Sequence, residues 1–332
     1  AGGDKYIVNG ILFKFAVDSG GLYGSDEAAA KVAGHDLNGL IQCFHSNMKN
    51  VHFPLVALVD YLGWRLIAMS TLPIGKQTLV YGTADAGVTI LNNSRYLHNE
   101  LMTASKHMNL KPHYVGDEDN PILVPTPVDL EGHRGEDGKY YLVDFSRMMP
   151  PEKLKSDIQG AHLFRLLRPE LVKSNPVPLC SDAYSGFTYL HSWKAHVEEV
   201  EEATRRLKEC IVPSVASNLK GVTVNEHVRS MFINFQLGHI MHSAGINMRY
   251  LGLVRRHIVD PEFTVPKEED AVDESVLNGM EFLGYLLSPT YSKKVSEEQD
   301  SKRPQPPVLG AGLSTMDTLH ETDNASIEKV ML

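Results

Sequence analysis

Along residues 1–75, apolar and polar positions form short runs typical of β-strands, interrupted by one long stretch of helix-forming residues. Residues 6–17 are rich in β-branched and aromatic side chains and turn at Asn9-Gly10, a dipeptide that favours a tight hairpin. Residues 52–74 contain two apolar runs that indicate a second hairpin. Between the hairpins, residues 25–45 begin with a serine N-cap and acidic side chains, which is typical of a helix N-terminus. The pattern predicts a β-rich lobe with one helix.

Residues 76–259 change from a mixed pattern to a helical one. A third strand pair is predicted within residues 122–147, with its turn at Asp137-Gly138. Helices are predicted where apolar residues recur at a spacing of three or four, at residues 95–110, 162–172, 192–212, 224–245 and 247–258. Strands followed by helices indicate the α+β class. We therefore predict one α+β domain made of two lobes, residues 1–75 and 76–259.

Composition changes sharply near residue 260. Residues 260–332 hold 15 acidic and 6 basic side chains, whereas residues 1–259 hold 26 of each sign. The net charge of −9 is therefore carried by residues 260–332. This polar sequence has too few apolar residues for burial to offset the entropy lost on folding, which predicts disorder. The apolar run 276–287 is the exception, either a docking helix or a helix packed on its own domain. A neutral domain excludes a broad basic surface for nucleic acid and leaves only a local basic patch.

The sequence predicts that the protein is located in the cytoplasm. With 42% hydrophobic and 22% charged residues, the chain has the composition of a globular protein, and it contains no run of about 18–20 apolar residues that could span a membrane. Its three cysteines, Cys43, Cys180 and Cys210, are odd in number and far apart. This usage is typical of a reducing compartment.

The stretch with the clearest chemistry is residues 135–147, where an acidic turn leads into an alternating strand that ends at Asp144 and Phe145. Protein-kinase-like enzymes present a magnesium-binding aspartate in this way, in a D-F-G segment. Glu131 stands thirteen residues before Asp144, at the kinase spacing of the second metal ligand. The pattern predicts that Glu131 and Asp144 hold Mg²⁺, with ATP as the cofactor.

Two upstream residues extend this hypothesis. Lys14 lies in an apolar strand, where the phosphate-contacting lysine of a kinase would be, and Glu27 opens the next helix, where it would orient that lysine. The kinase position of the catalytic base holds Thr126, so Asp129 or His133 would have to act as the general base. The ordered set predicts a divergent, two-lobed protein-kinase-like fold, as a phosphotransferase or a pseudokinase. The ordinary alternatives are a strand lysine and an acid that favours the helix dipole.

A small basic patch follows the last predicted turn. Arg249, Tyr250, Arg255 and Arg256 interleave cations with an aromatic ring, a composition that suits RNA phosphates or an acidic partner. A solvated helix face is the equally weighted alternative.

Several blocks of the chain resemble, in the same order, the Clu domain, the central domain of the clustered-mitochondria family. These blocks are residues 56–74, 79–87, 108–113, 131–152, 162–172 and 245–254. The resemblance implies a cytosolic binding protein needed for mitochondrial distribution. It also implies partners among mRNAs for mitochondrial proteins and ribosome-associated proteins, including translation initiation factor three. A binding module is therefore the leading hypothesis, and the Mg-ATP-binding kinase-like protein is the alternative.

Overall fold

The computed structural model describes residues 3–116, 119–154, 158–187, 192–220, 237–260 and 262–265. Within these residues the protein is a mixed α+β structure, with strands concentrated in the first half and helices toward the C-terminus. The α+β class and its order along the chain are therefore confirmed. The predicted acidic tail, with its apolar run, falls almost wholly outside the described residues.

The strands are β1 (Lys5–Val8), β2 (Ile11–Phe15), β3 (Val51–His52), β4 (Val56–Tyr61), β5 (Trp64–Ser70), β6 (Leu79–Gly82), β7 (Leu91–Asn92), β8 (His113–Val115), β9 (Ile122–Val124), β10 (Glu131–Arg134) and β11 (Tyr140–Val143). The helices are α1 (Asp26–His45), α2 (Arg95–Met108), α3 (Ala161–Phe164), α4 (Pro169–Lys173), α5 (Trp193–Arg206), α6 (Val212–Lys220), α7 (237–243) and α8 (Leu251–Val259). No helix within this part of the chain is long and apolar enough to cross a membrane.

The first sheet is antiparallel, in the order β1-β2-β5-β4, and α1 packs against one of its faces. Both of its predicted hairpins form, and Asn9 and Gly10 adopt the positive φ angles that a tight turn requires. A small core joins the sheet to the helix through Ala16, Ile67 and Ala33. This packing fixes which side chains of β1 and β2 face α1.

The second sheet has the order β3-β11-β10-β6-β7, and β8 pairs with β9 separately. The predicted hairpin β10–β11 forms with its turn at Gly138, so that β11 ends directly before Asp144. The main core lies between this sheet and the helices of the second half. Its fully buried members include Tyr81, Leu97, Leu101, Met108, Leu130, Leu142, Leu171, Val200, Leu207, Val212 and Val254.

Helix boundaries differ from the sequence prediction at two prolines. The helix expected over 162–172 divides into α3 and α4, because Pro169 disfavours a helical conformation in the residue before it. The helix expected to end at residue 212 instead continues into α6 through a π-helical turn, Leu207–Ile211. Pro213 cannot donate a backbone hydrogen bond, and the wider turn just before it accommodates that loss.

Candidate functional site

Charged side chains from four elements meet beneath the first sheet. Lys5 on β1 pairs directly with Lys14 on β2, so both side chains point to the same face of the sheet. Lys14 in turn lies opposite Ile67, which packs against α1, so this face is the one covered by α1. Asp36 of α1 faces the same space, together with Asp144. We call Lys5, Lys14, Asp36, Glu131 and Asp144 the charged cleft.

The pKa of Lys5 shows that these charges lie within electrostatic range of one another. Burial, followed by repulsion from Lys14, lowers this pKa, whereas Asp144 and Glu131 act in the opposite direction. Lys5 therefore lies within electrostatic range of Lys14 and of two carboxylates at the open end of the β10–β11 hairpin. Lys14, Glu131 and Asp144, which were combined from spacing alone, thus share Lys5 as a neighbour.

Asp36 is the carboxylate of α1 that enters the cleft. It is buried, and its Oδ1 accepts a hydrogen bond of 2.7 Å from the backbone N–H of Phe145. Burial and the neighbouring Asp144 raise the pKa of Asp36 to about 6, and Lys14 opposes this shift. Glu27, in contrast, is exposed in the first turn of α1, where hydrogen bonds to its own backbone and Ser25 lower its pKa.

Asp144 has an unusual backbone. Its φ of 61° lies in the left-handed region, which a non-glycine residue adopts at a cost unless its surroundings hold it there. The next residue, Phe145, is buried against Gly39 of α1, where the absence of a side chain leaves room for the Phe145 carbonyl. The contact with α1 therefore surrounds the residue that presents the Asp144 carboxylate.

Tyr23 and Asp129 lie within electrostatic range of Asp144. Burial, then Asp18, Asp129 and Asp144, raise the pKa of Tyr23 to about 12. Asp129 accepts a hydrogen bond from Arg147 through Oδ2, and its Oδ1 is enclosed without a hydrogen-bond partner. Burial raises the pKa of Asp129, although Arg147 opposes the shift.

A buried ion network meets Asp129 through Arg147. Asp182 accepts hydrogen bonds from Arg147 Nη2 at 2.8 Å, from His113 Nε2 at 3.0 Å and from the Val128 backbone at 2.9 Å. His113 Nδ1 faces the carbonyl of Lys111 at 3.0 Å, so both ring nitrogens meet acceptors and the doubly protonated ring is favoured. The network holds the segment that carries Asp129 against Arg147.

The candidate general bases are engaged in other bonds. His133 is buried, with its Nδ1 3.0 Å from Thr78 Oγ1 and its Nε2 3.2 Å from Glu131 Oε2. Thr126 is also buried, and its hydroxyl lies 2.8 Å from the Tyr81 hydroxyl. Both ring nitrogens of His133 are therefore engaged, one of them by Glu131 of the charged cleft. A threonine hydroxyl is no general base at neutral pH.

Magnesium is the metal that this chemistry suits. Glu131 and Asp144 supply carboxylate oxygens, and Mg²⁺ in nucleotide sites is commonly held by one or two carboxylates together with phosphates and water. Within the described ranges, no three or more His, Cys, Asp or Glu side chains form a group that could hold a metal ion. Glu131 and Asp144 would therefore need oxygens from a bound ligand and from water to complete a Mg²⁺ site.

The structure divides the predicted basic patch. Arg249 and Tyr250 turn inward and donate hydrogen bonds to Glu152, at 2.8 and 2.6 Å. Arg255 and Arg256 remain exposed on α8. The outward-facing basic surface thus consists of two arginines and not four aligned side chains.

Sequence reasoning missed Asp36. The signal for it is present, because Asp36 falls at helical spacing within a stripe of small and apolar residues on α1. That stripe contains Ala29, Val32, Ala33, Gly39 and Cys43, all buried. An ionisable residue on the buried face of a helix is a candidate functional group when a charge partner lies nearby.

An α+β domain with a buried charged cleft is the class of protein that these features define. Comparison with known families goes further: residues 1–154 match the family model described as Clustered mitochondria. The resemblance of this region to the Clu domain is therefore confirmed. Every residue of the charged cleft lies within it. A second model, Translation initiation factor eIF3 subunit 135, matches residues 234–303.

Similar proteins carry names from the same family. The chain is 28% identical over 252 residues to Protein clueless of Drosophila persimilis, which covers 67% of this chain and 17% of that protein. It is 30% identical over 193 residues to Clustered mitochondria protein homolog of Culex quinquefasciatus, covering 51% of this chain and 14% of the relative. The chain thus spans about a sixth of the length of these relatives. No solved structure matches it, so the predicted kinase-like fold gains no support from a known fold.

Proposed function

We propose that this chain is a binding module of a protein that acts in mitochondrial distribution, and that its charged cleft binds a Mg-nucleotide. The names of the relatives support the first part of this proposal. The second part depends on one observation, the juxtaposition of Lys5 and Lys14 with the carboxylates of Asp36, Glu131 and Asp144.

The lysines suit the phosphates of a Mg-nucleotide, and the carboxylates suit its Mg²⁺. In phosphoryl-transfer proteins a lysine contacts the phosphates, and an aspartate holds the Mg²⁺ that bridges them. Lys14 is half-buried and forms no ion pair within 4 Å among the residues that the structure describes. Its ammonium group is therefore available to an anionic ligand. Glu131 and Asp144 lie on the opposite side, where the metal would be needed.

Binding is a better account of the cleft than phosphoryl transfer. A transferase needs a base within hydrogen-bond reach of the acceptor hydroxyl. His133 is bonded at both nitrogens, and Asp129 is held by the guanidinium of Arg147. We therefore propose a pseudokinase-like site, in which bound nucleotide stabilises the domain without turnover.

Thermal unfolding with and without Mg-ATP tests this proposal. A ligand at 100 times its Kd adds about 2.7 kcal/mol to the free energy of unfolding, which raises the melting temperature by several degrees. We expect Lys14→Ala and Asp144→Asn to abolish the shift. Lys106→Ala and Asp119→Asn, at exposed positions, are the matched controls and should keep it. A wild-type protein that shows no shift at millimolar Mg-ATP would contradict the proposal.

A second candidate function concerns RNA or ribosome-associated partners. The eIF3 subunit 135 model spans residues 234–303 and so includes α8, which carries the exposed Arg255 and Arg256. This overlap favours α8 as the surface that contacts RNA or a ribosome-associated partner.

The cytoplasmic location of the protein and the division of its domain into lobes 1–75 and 76–259 remain predictions.

A further inference from the structure

We propose that Asp36 is a positioning residue, which holds the Asp144–Phe145 peptide so that the Asp144 carboxylate faces Lys5 and Lys14. Through this bond the placement of α1 would regulate Mg²⁺ binding in the cleft. The inference rests on the proposed nucleotide site and assigns to it a control element.

The geometry begins with a single buried hydrogen bond. Asp36 and Phe145 are 109 residues apart in sequence, and Oδ1 of the former lies 2.7 Å from the backbone nitrogen of the latter. Both residues are less than a tenth exposed. A hydrogen bond from a backbone N–H to a carboxylate is charge-assisted, and burial strengthens it.

This bond acts on the backbone of Asp144. The N–H of Phe145 belongs to the peptide plane that follows Asp144, so fixing its direction fixes ψ of Asp144. With φ at 61°, Asp144 occupies a region that surrounding contacts must maintain. Loss of the bond would allow the aspartate to relax to a commoner conformation and turn its carboxylate from the lysines.

Gly39 gives α1 a second point of contact with the same residue. A Cβ at position 39 would collide with the carbonyl oxygen of Phe145 and would lie 2.9 Å from its Cβ and 3.0 Å from Met148 Cγ. The helix thus touches Phe145 at its N–H and at its carbonyl, from positions one turn apart. A displacement of α1 would therefore move the peptide that presents Asp144.

Electrostatics connect Asp36 to the remainder of the cleft. Its pKa responds to Asp144 and, in the opposite direction, to Lys14, so its carboxylate lies within range of both. Through Asp36, α1 therefore interacts electrostatically with both Lys14 and Asp144.

The test separates Mg²⁺-dependent from Mg²⁺-independent nucleotide binding. Calorimetry would measure the affinity for ATP with Mg²⁺ and with EDTA, in wild type, Asp36→Ala, Asp36→Asn and Gly39→Ala. We expect Asp36→Ala to weaken Mg-ATP about tenfold or more, the value of a lost hydrogen bond to a charged group, while ATP in EDTA changes much less. Asp36→Asn keeps an acceptor oxygen and should recover most of the affinity. Gly39→Ala should reproduce the Mg²⁺-specific loss, and Lys31→Ala, at an exposed position of the same helix, is the control.

Amide hydrogen exchange at Phe145 provides a readout that needs no nucleotide. We expect faster exchange at this amide in Asp36→Ala than in wild type or Lys31→Ala, with similar exchange in the first sheet. If wild type binds Mg-ATP and Asp36→Ala binds it equally well, the positioning role is overturned and the nucleotide site stands. If wild type binds no nucleotide, the proposed function fails. Equal exchange at Phe145 in wild type and in Asp36→Ala would separately overturn the positioning role.

Discussion

At the scale of single residues, Asp182 shows most clearly how burial and charge act together. It has no exposed surface, and it accepts hydrogen bonds from two cationic side chains, Arg147 and His113. A buried carboxylate without such partners would be protonated. The network also explains why Asp129 is bonded to Arg147 and is not free to act as a base.

We predict that Asp182→Asn lowers the free energy of unfolding by about 3–5 kcal/mol, because it deprives buried His113 of its counter-charge and Arg147 of one of its two. Urea unfolding followed by circular dichroism would measure the loss. Asp119→Asn, at an exposed position, is the control and should change little. A loss no larger than that of the control would show that the network does not stabilise the fold.

The same residue predicts how stability depends on pH. Burial works against the ionised form, yet Arg147 and His113 hold the pKa of Asp182 well below its usual value. In acid, Asp182 is therefore protonated in the unfolded chain but still ionised in the folded chain. Because the unfolded state binds more protons, the free energy of unfolding rises with pH in that range. The contribution is present above about pH 4 and is lost as pH falls below it. We expect the free energy of unfolding to depend less on pH in acid for Asp182→Asn than for wild type.

Local patterns predicted that Lys14 lies in a strand and that Asp144 directly follows one, as the structure has them. The function of Lys14, Glu131 and Asp144 as one site stays a prediction. Residue spacing could not predict that His133 is bonded on both sides, since Thr78 lies 55 residues away. Asp36 was missed for the same reason. Its partner, the Phe145 backbone, becomes a neighbour only after α1 docks.

At the scale of elements, the β10–β11 hairpin presents Asp144, and its packing depends on a glycine. A Cβ at Gly132 would lie 2.5 Å from Leu97 Cδ2 and 3.0 Å from Tyr81 Cβ, and both neighbours are fully buried. Side chains in a close-packed core can yield only by leaving their preferred rotamers. The glycine thus allows α2 to approach the strand.

We predict that Gly132→Ala lowers the free energy of unfolding by about 1–3 kcal/mol through this overpacking. Gly34→Ala, on α1, is the matched control, since a Cβ there meets nothing within 4 Å. It should stabilise the protein by about 0.4–1 kcal/mol, because alanine restricts the unfolded chain. Equal effects of the two substitutions, measured by urea unfolding, would contradict the close approach of α2.

Local signals predicted the elements with uneven success. The hairpins at Asn9-Gly10 and Asp137-Gly138 form because such dipeptides adopt the required turn with little tertiary help. The continuous helix from α5 to α6 was not predicted, because Pro213 resembles a stop signal. A π-helical turn that removes the clash is a property of the folded helix and has no simple pattern in sequence.

At the scale of the whole molecule, the division of charge decides which partners the domain can attract. Residues 1–259 are neutral overall, so affinity for a polyanion must come from a local surface. Two arginines are less available to such a surface, because Arg249 pairs with Glu152 and Arg205 pairs with Glu202 and Glu209. Arg255 and Arg256 lie next to each other on α8 and are exposed.

We predict that the double substitution Arg255→Ala, Arg256→Ala weakens RNA crosslinking of the protein, and that raising the salt concentration weakens the wild type in the same way. Each phosphate contact releases counterions, so the salt dependence should become shallower in the variant. Arg205→Ala is the matched control, because its guanidinium already pairs with two glutamates. Unchanged crosslinking in the double variant would exclude α8 as an RNA contact. It would leave the nucleotide site as the binding function to pursue, since that site lies on other elements and depends on none of these arginines.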